Sequence, residues 1–237
     1  MAGIPSPTDN PIVEAVRSAS KRILGTAILN SKEPISSIVI HDIISRSNLE
    51  NPVELRNITL YVLSFAGFFR FDDVSRIRRN DIFFNEVFMV IKVPKSKNDQ
   101  LSRGDKVIIS VLPSPACPVK LLKKYLPKFK IPPDSRDLIF RPISKGKDSC
   151  KLIAPDKPIS YSTMRQAFRR DLKTIGADPS KFELHSLRSG GATMAANSGV
   201  SGRVFQRHGR WKSTKAKDIY VDDDLDQRLS VSKFLGL

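Results

Sequence analysis

Apolar residues recur at steps of three and four positions over most of this chain of 237 residues. That spacing gathers them on one face of a helix, so it predicts a mostly helical protein. The predicted helices cover residues 11–29, 35–45, 52–69, 118–126, 161–175, 187–198 and 203–207, with weaker ones at 215–221 and 225–235. The helix at 52–69 is apolar around most of its circumference, so we expect it to lie in the core.

Only one part of the chain has a pattern typical of strands. Residues 82–84, 87–93 and 107–112 are rich in β-branched and aromatic side chains, and Asn85 and Glu86 predict a tight turn between the first two. Residues 134–158 are predicted to be a loop with one short strand at 138–140. The expected fold class is therefore α+β, mostly helical with a small antiparallel three-stranded sheet.

The composition narrows the function. Lys and Arg number 40 against 24 Asp and Glu, which gives a net charge of +16. Such a charge attracts polyanions, so nucleic-acid binding is favoured over a protein that is merely basic and soluble. The two cysteines, Cys117 and Cys150, form no metal-binding spacing and are typical of a reducing, intracellular compartment. The chain has no apolar run of about 18 residues, so we expect no membrane partner.

His185 and Arg188 are the first candidates for chemistry. They are three positions apart, so on a helix both point from one face and can address a single phosphate. Arg70, at the end of the predicted core helix, is a second candidate, because a guanidinium offers a planar fork of donors to phosphate oxygens. Each of these residues, taken alone, is more often structural or solvated.

Tyr220 and Lys97 could complete such a site. A phenol is a nucleophile for phosphate when a base or cationic neighbours activate it. Lys97 lies in a polar segment after a predicted strand, where a lysine can donate a proton to a leaving oxygen. An ordinary amphipathic tyrosine and a simple phosphate contact are the alternatives. The acidic run at 222–226 also suggests a metal-dependent nuclease, but its place at a predicted helix start and the lack of a second carboxylate set favour a helix-capping role.

Taken together, these residues resemble the tyrosine recombinase (phage-integrase-like) family. The candidates follow the order of that family's motifs along the chain. Gly67 and Arg70 come first, with Asp73 after them, and Lys97 follows in a basic hairpin segment. The His185 and Arg188 pair comes next, and Trp211 then precedes Tyr220 by nine positions. The stretch 205–212 also resembles the recombinases of eukaryotic DIRS-type and Crypton mobile elements. His208 competes with Trp211 for one role, and the spacing to Tyr220 favours Trp211.

The resemblance implies a site-specific recombinase or integrase that needs no cofactor and no metal. Tyr220 would attack a DNA phosphate and form a 3′-phosphotyrosyl bond. Arg70 and Arg188 would hold the phosphate oxygens, Lys97 would protonate the leaving oxygen, and His185 would assist the tyrosine proton. Trp211 would support the site by packing, with Asp73 and His208 in supporting positions.

The resemblance also implies domains, partners and a location. Residues 1–32 would be an N-terminal helix, a remnant of a core-binding domain, and residues 33–237 the catalytic domain. The partners would be double-stranded DNA and further copies of the chain, as a dimer or tetramer on DNA. The protein would be DNA-associated, and nuclear if its source is eukaryotic. Two alternatives stay open: a non-catalytic DNA-binding protein derived from a mobile-element recombinase, and a type IB topoisomerase-like enzyme.

Overall fold

The computed structural model describes residues 10–23, 32–93, 105–146 and 150–223, together with 225, 228 and 229. The chain divides into two compact units, residues 1–31 and 32–237. In the first unit, helix α1 spans Pro11–Ile23. Its predicted continuation to residue 29 lies outside the described residues. All remaining elements belong to the second unit.

The second unit is mostly helical, as the apolar spacing predicts. Asn51 caps the core helix α3 by accepting a hydrogen bond from the N–H of Val53, and Pro52 occupies the first turn, where its missing N–H costs nothing. Its helices are α2 Ser37–Ser45, α3 Pro52–Ala66, α4 Phe71–Ser75, α5 Pro118–Lys128, α6 Tyr161–Thr174, α7 Leu184–Asn197, α8 Gly202–Gly209 and α9 Thr214–Asp218.

The predicted three-stranded sheet is confirmed. It consists of β1 Ile82–Phe84, β2 Phe88–Val93 and β3 Asp105–Ser110, paired antiparallel in that order. The N–H of Asn85 donates to the carbonyl of Phe88, which closes the predicted turn between β1 and β2. Met89 and Ile91 of β2 are fully buried, so one face of this sheet covers the helical core.

Two predictions for the loop at 134–158 are wrong. No strand forms at 138–140; Leu138 makes only an isolated bridge to Arg78, because the segment is pinned mainly by single hydrogen bonds and buried apolar side chains. A short hairpin forms instead further along, with β4 Ile143–Lys145 paired to β5 Cys150–Leu152. Most of the predicted last helix, 225–235, lies outside the described residues.

Two adjacent glycines let helix α7 pack closely against its neighbours, Gly190 against the segment before α2 and Gly191 against the end of α3. A Cβ at Gly190 would overlap the carbonyl oxygen of Ile35, and one at Gly191 would overlap that of Phe65. The close approach brings the N-terminal half of α7 beside the turn that follows α3. His185 and Arg188 therefore lie near Arg70, although 115 or more positions separate them in sequence.

Candidate active site

The turn after α3 presents a carbonyl oxygen to the site. Gly67 ends the helix, and Phe68 follows in the left-handed region at φ 47°. A non-glycine residue there is strained, and the surroundings must hold it. The Phe68 ring packs against Phe205, His208 and Trp211, with centroids 4.6–6.0 Å away. Aromatic packing thus fixes the direction of the Phe68 carbonyl.

The start of α7 is fixed by charge and by backbone hydrogen bonds. Glu183 immediately precedes the helix and binds Arg165 of α6 in a bidentate ion pair at 2.7 and 2.6 Å. Arg165 lowers the pKa of the Glu183 carboxyl, mainly through these hydrogen bonds. The carbonyl of Ser186 accepts the N–H of Ile35 at 3.1 Å. The first turn of α7, which carries His185, is therefore held from two sides.

Arg188 is the most deeply buried cation at the site, with 1% of its surface exposed. Its two terminal nitrogens donate to the carbonyls of Phe68 and Gly209, the latter at 2.9 Å. Its guanidinium lies 4.8 Å from the ring centroid of Trp211 and 4.9 Å from that of Tyr220. Burial, with repulsion from Arg210 and Arg70, lowers the pKa of Arg188 to about 10, so it remains charged at neutral pH.

The ring of Tyr220 packs against the rings of His185 and Trp211 as well as against the guanidinium of Arg188. Its ring centroid is 5.2 Å from that of His185 and 5.4 Å from that of Trp211. Thr193 of α7 donates its hydroxyl hydrogen to the Tyr220 carbonyl and accepts the N–H of Asp222, both at 3.2 Å. The tyrosine segment is thus held on α7 on both sides of the phenol.

Trp211 is buried, and its indole Nε1 has no hydrogen-bond partner among the described residues. The Nε of Arg188 is also buried and also has no hydrogen-bond partner among the described residues. Buried donors without acceptors are rare and need an explanation. These two N–H groups both belong to side chains that pack against the ring of Tyr220, so the site contains unused donors next to the phenol.

His185 faces Tyr220 as an uncharged imidazole at neutral pH. Burial lowers its pKa below the ordinary value, and the positive charges of Arg188 and Arg70 lower it further. A neutral imidazole can accept a proton, which a histidine already protonated cannot do. The electrostatic influence of Arg70 also shows that this arginine lies close to the pair on α7.

Arg70 is exposed at the start of α4, and Asp73 orients its backbone. The carboxylate of Asp73 accepts the N–H of Arg70 at 3.2 Å and forms an ion pair with Arg210, also at 3.2 Å. Asp73 therefore connects the α4 segment to the segment that carries Trp211. The side chain of Arg70 is left facing outward beside His185.

Sequence reasoning missed Arg210. This residue is in the left-handed conformation, with φ 59°, and its side chain is 8% exposed. It donates to the carbonyls of Gly67 and Phe68 at 3.1 and 3.2 Å, besides its bond to Asp73. Its direct neighbour in sequence is Trp211, so Arg210 locks the position of that indole. Only its place beside Trp211 hinted at this role, because the bonds involve distant carbonyls.

His208 does not meet the phenol. Its Nε2 is 2.8 Å from the carbonyl of Ala66, and its ring packs on Phe68 at 4.6 Å. Burial is the main cause that lowers its pKa. The structure thus places Trp211, and not His208, against Tyr220. Lys97 lies outside the described residues; β2 ends at Val93 and β3 begins at Asp105.

The comparison with known families decides what this constellation belongs to. Residues 33–226 match the model of the phage integrase family, and every candidate side chain lies within them. The chain belongs to the phage integrase family. A curated integrase/recombinase XerD homologue from Selenomonas ruminantium is 30% identical over 222 residues, which cover 93% of this chain and 62% of that protein. The chain thus spans less than two thirds of the length of this relative.

Two solved structures share the fold of this phage integrase family member. The XerH site-specific recombinase, bound to its difH substrate after cleavage, superposes with a TM-score of 0.64 at 17% identity, over 86% of this chain and 53% of that one. The Tn1549 transposon integrase with transposon right-end DNA gives 0.63 at 12% identity, over 92% and 70%. Within the described residues, no helix is long and apolar enough to cross a membrane.

Proposed function

We propose that this phage integrase family member is a site-specific recombinase that cuts and rejoins DNA through Tyr220. The observation that carries the proposal is the arrangement of three groups around one phenol. His185, Arg188 and Trp211 all lie with ring or guanidinium centres 4.9–5.4 Å from the Tyr220 ring. The XerH and Tn1549 proteins were solved with DNA, which supports DNA as the substrate class.

The reaction needs positioning and charge neutralisation rather than extensive covalent chemistry. The Tyr220 oxygen forms a bond to the scissile phosphorus while the bond from phosphorus to the 5′-oxygen breaks. His185 accepts the phenol proton, and Lys97 returns a proton to the 5′-oxygen. Arg70 and Arg188 neutralise the phosphate oxygens. The DNA end stays attached to the protein as a 3′-phosphotyrosine, so the bond energy is kept for rejoining.

The unused donors suit this chemistry. A phosphate oxygen is the acceptor that the Nε of Arg188 and the Nε1 of Trp211 lack among the residues that the structure describes. Donors aimed at the charge that develops on these oxygens stabilise the transition state most when water is excluded. Because the Tyr220 ring packs against both side chains, the ring must shift from them when a phosphate enters. Asp73 acts indirectly, through the backbone of Arg70 and through Arg210.

A nicked suicide DNA substrate tests the proposal, because loss of the short leaving strand traps the covalent complex. The wild-type chain is expected to form a protein–DNA adduct that survives denaturation. Tyr220→Phe should form none while retaining DNA binding. Tyr161→Phe is the matched control, since Tyr161 is also a partly exposed tyrosine but lies at the start of α6. Salt-sensitive DNA binding without any adduct would instead favour a non-catalytic DNA-binding protein.

Exchange between two duplexes distinguishes a recombinase from a type IB topoisomerase-like enzyme. A recombinase joins strands of different duplexes, whereas a topoisomerase relaxes one supercoiled molecule without exchanging partners.

We also propose that the chain acts as a homo-oligomer on DNA and that its closer kin are recombinases of DIRS-type or Crypton mobile elements. The stretch 205–212 and the likeness to a transposon integrase support this kinship with mobile-element recombinases.

A further inference from the structure

A basic cavity of about 690 Å³ lies between the first half of α3 and one face of α6. No Asp or Glu is among the described residues that line it, so its charged side chains are all positive. The polar residues that line it on these two helices and on the loop before α6 are Arg56, Asn57, Lys157, Ser160, Thr163, Gln166 and Arg170.

Arg56 forms the buried part of this cavity, with 4% of its surface exposed. Its Nε and one terminal nitrogen donate to Oδ1 of Asn57 at 3.1 and 2.8 Å, and the other terminal nitrogen reaches the carbonyl of Arg141 at 3.4 Å. No carboxylate lies within ion-pair distance among the residues that the structure describes. Neutral acceptors satisfy the hydrogen bonds of Arg56 but leave its charge uncompensated.

A buried charge without a counter-charge is strongly unfavourable. Burial lowers the pKa of the Arg56 guanidinium, while the nearby hydroxyls of Tyr125 and Tyr61 act in the opposite direction. An arginine nevertheless does not lose its proton at neutral pH. The described residues thus supply no counter-charge, and the cavity that Arg56 lines offers a place for an anion.

We propose that this cavity binds a phosphate group, with Arg56 at its base and Lys157 at its rim. A phosphate presents several acceptor oxygens, which match a guanidinium fork, an ammonium group and hydroxyls at one place. Thr163 and Gln166 supply further neutral donors, whereas Arg170 is already engaged with Asp171 at 3.0 Å. The proposal goes beyond the tyrosine chemistry.

The cavity is separate from the site at Tyr220. Arg56 precedes Ala66, the last residue of α3, by ten positions, which corresponds to about 15 Å along the helix axis. The phosphate has two possible sources with the same chemistry, the backbone of bound DNA or a free phosphate. Adding DNA distinguishes the two sources. If the DNA backbone occupies the cavity, bound DNA prevents added phosphate from binding there, whereas a site for free phosphate stays accessible.

Thermal unfolding of the full chain carrying Tyr220→Phe tests the proposal without any covalent chemistry. Sodium phosphate is expected to raise the Tm above that in sodium chloride of equal ionic strength. Lys157→Ala should weaken the apparent phosphate affinity by about tenfold, the loss expected for one charge-assisted hydrogen bond. Lys173→Ala, on an exposed part of the same α6, is the matched control and should respond like the parent.

A DNA arm identifies the source and completes the test. The part of the phosphate response that Lys157→Ala removes reports on the cavity, because phosphate bound at the Tyr220 site does not depend on Lys157. If saturating duplex DNA removes this Lys157-dependent part, or if Lys157→Ala alone weakens DNA binding, the DNA backbone is the source. If this part persists with DNA bound, the source is free phosphate. Equal behaviour of Lys157→Ala and Lys173→Ala in both arms would overturn the proposal. Arg56→Gln should lose the Lys157-dependent part as well, and Lys157→Ala decides the matter if that variant does not fold. Adduct formation by the wild-type chain is independent of all these outcomes.

Discussion

Arg188 and Arg56 are both buried arginines without an ion-pair partner among the described residues, yet their surroundings differ. Arg188 lies between the rings of Trp211 and Tyr220, with Arg70 and Arg210 close enough to lower its pKa. Arg56 lies beside an amide and faces a cavity lined by hydroxyls and a lysine. In the proposed function the first environment activates a nucleophile, whereas the second only binds.

The difference shows that a buried guanidinium by itself indicates an anion and not a reaction. What makes the region of Arg188 reactive in this account is the phenol over it and the rigid backbone beneath it. Carbonyls of Phe68 and Gly209 fix Arg188 from below, and Arg210 fixes the same turn from the side. Breaking each of these features should affect the tyrosine site without affecting the phosphate cavity.

The largest effect is expected for Arg188→Lys. Lysine retains the charge but lacks the planar guanidinium, which in Arg188 binds two carbonyls and still has its Nε available for a phosphate oxygen. The rate of adduct formation on suicide DNA should fall by roughly 10²–10³, as for loss of one donor to a developing oxyanion. Single-turnover assays at saturating DNA measure this. Arg207→Lys, exposed on α8, is the control; an equal loss there would mean that the assay reports general DNA contact.

Arg210→Ala should mainly reduce stability. It leaves Asp73 without its ion pair and removes bonds to two carbonyls, so the free energy of unfolding should fall by about 3 kcal/mol. Arg210→Gly should lose roughly 1 kcal/mol less, because glycine adopts the left-handed backbone without strain. Urea unfolding of both variants gives the comparison. Equal losses in the two variants would show that the left-handed conformation of Arg210 is not strained.

Gly191→Ala should push α7 away from α3. Its Cβ would overlap the carbonyl oxygen of Phe65, and overpacking of this kind costs about 2 kcal/mol. Adduct formation should fall as well, because Arg188 moves with α7. Gly202→Ala is the matched control, since its Cβ would meet nothing closer than 3.7 Å. A Gly191→Ala variant as stable as Gly202→Ala would contradict the close approach of the two helices.

The smallest effect concerns protonation of His185. Its folded-state pKa is lowered, so the folded protein binds fewer protons than the unfolded one. Well above about pH 6.5, His185 is neutral in both states and does not change the free energy of unfolding. As the pH falls below that value, the unfolded state takes up the proton more readily, so the free energy of unfolding decreases. Arg70→Gln removes a positive neighbour and should raise the pKa of His185 in an NMR titration, while His208 should not respond. A fixed His185 pKa would place Arg70 away from the site.

Sequence patterns predicted the elements better than their connections. Most helices and the three strands follow from local periodicity, whereas the family resemblance is what brought His185, Arg188, Trp211 and Tyr220 together; the short helix α4 was not predicted. The hairpin at β4 and β5 was missed because three-residue strands show no alternation long enough to recognise. A strand was expected at 138–140 because a short apolar run in sequence imitates a buried strand.

Residues that act through distant backbone carbonyls escaped prediction for a general reason. Besides the nearby carbonyl of His208, Arg210 donates to carbonyls more than 130 positions away and to an aspartate in α4, and no residue type at those carbonyls marks them. Arg56 escaped prediction for a related reason, because the role proposed for it rests on the lack of an acid near it among the described residues, which no sequence spacing reveals. Spacing in sequence identifies groups that share a helix face, but not groups that meet across the core.

The most direct test of the account is to identify the residue that becomes attached to DNA. The wild-type chain is trapped on suicide DNA, digested with protease and nuclease, and the modified peptide is sequenced by mass spectrometry. The account predicts a nucleotide linked through its 3′-phosphate to the phenol oxygen of Tyr220, and to no other residue. A modification on Tyr161 or on any other side chain, or no modification while DNA binding is intact, would contradict it.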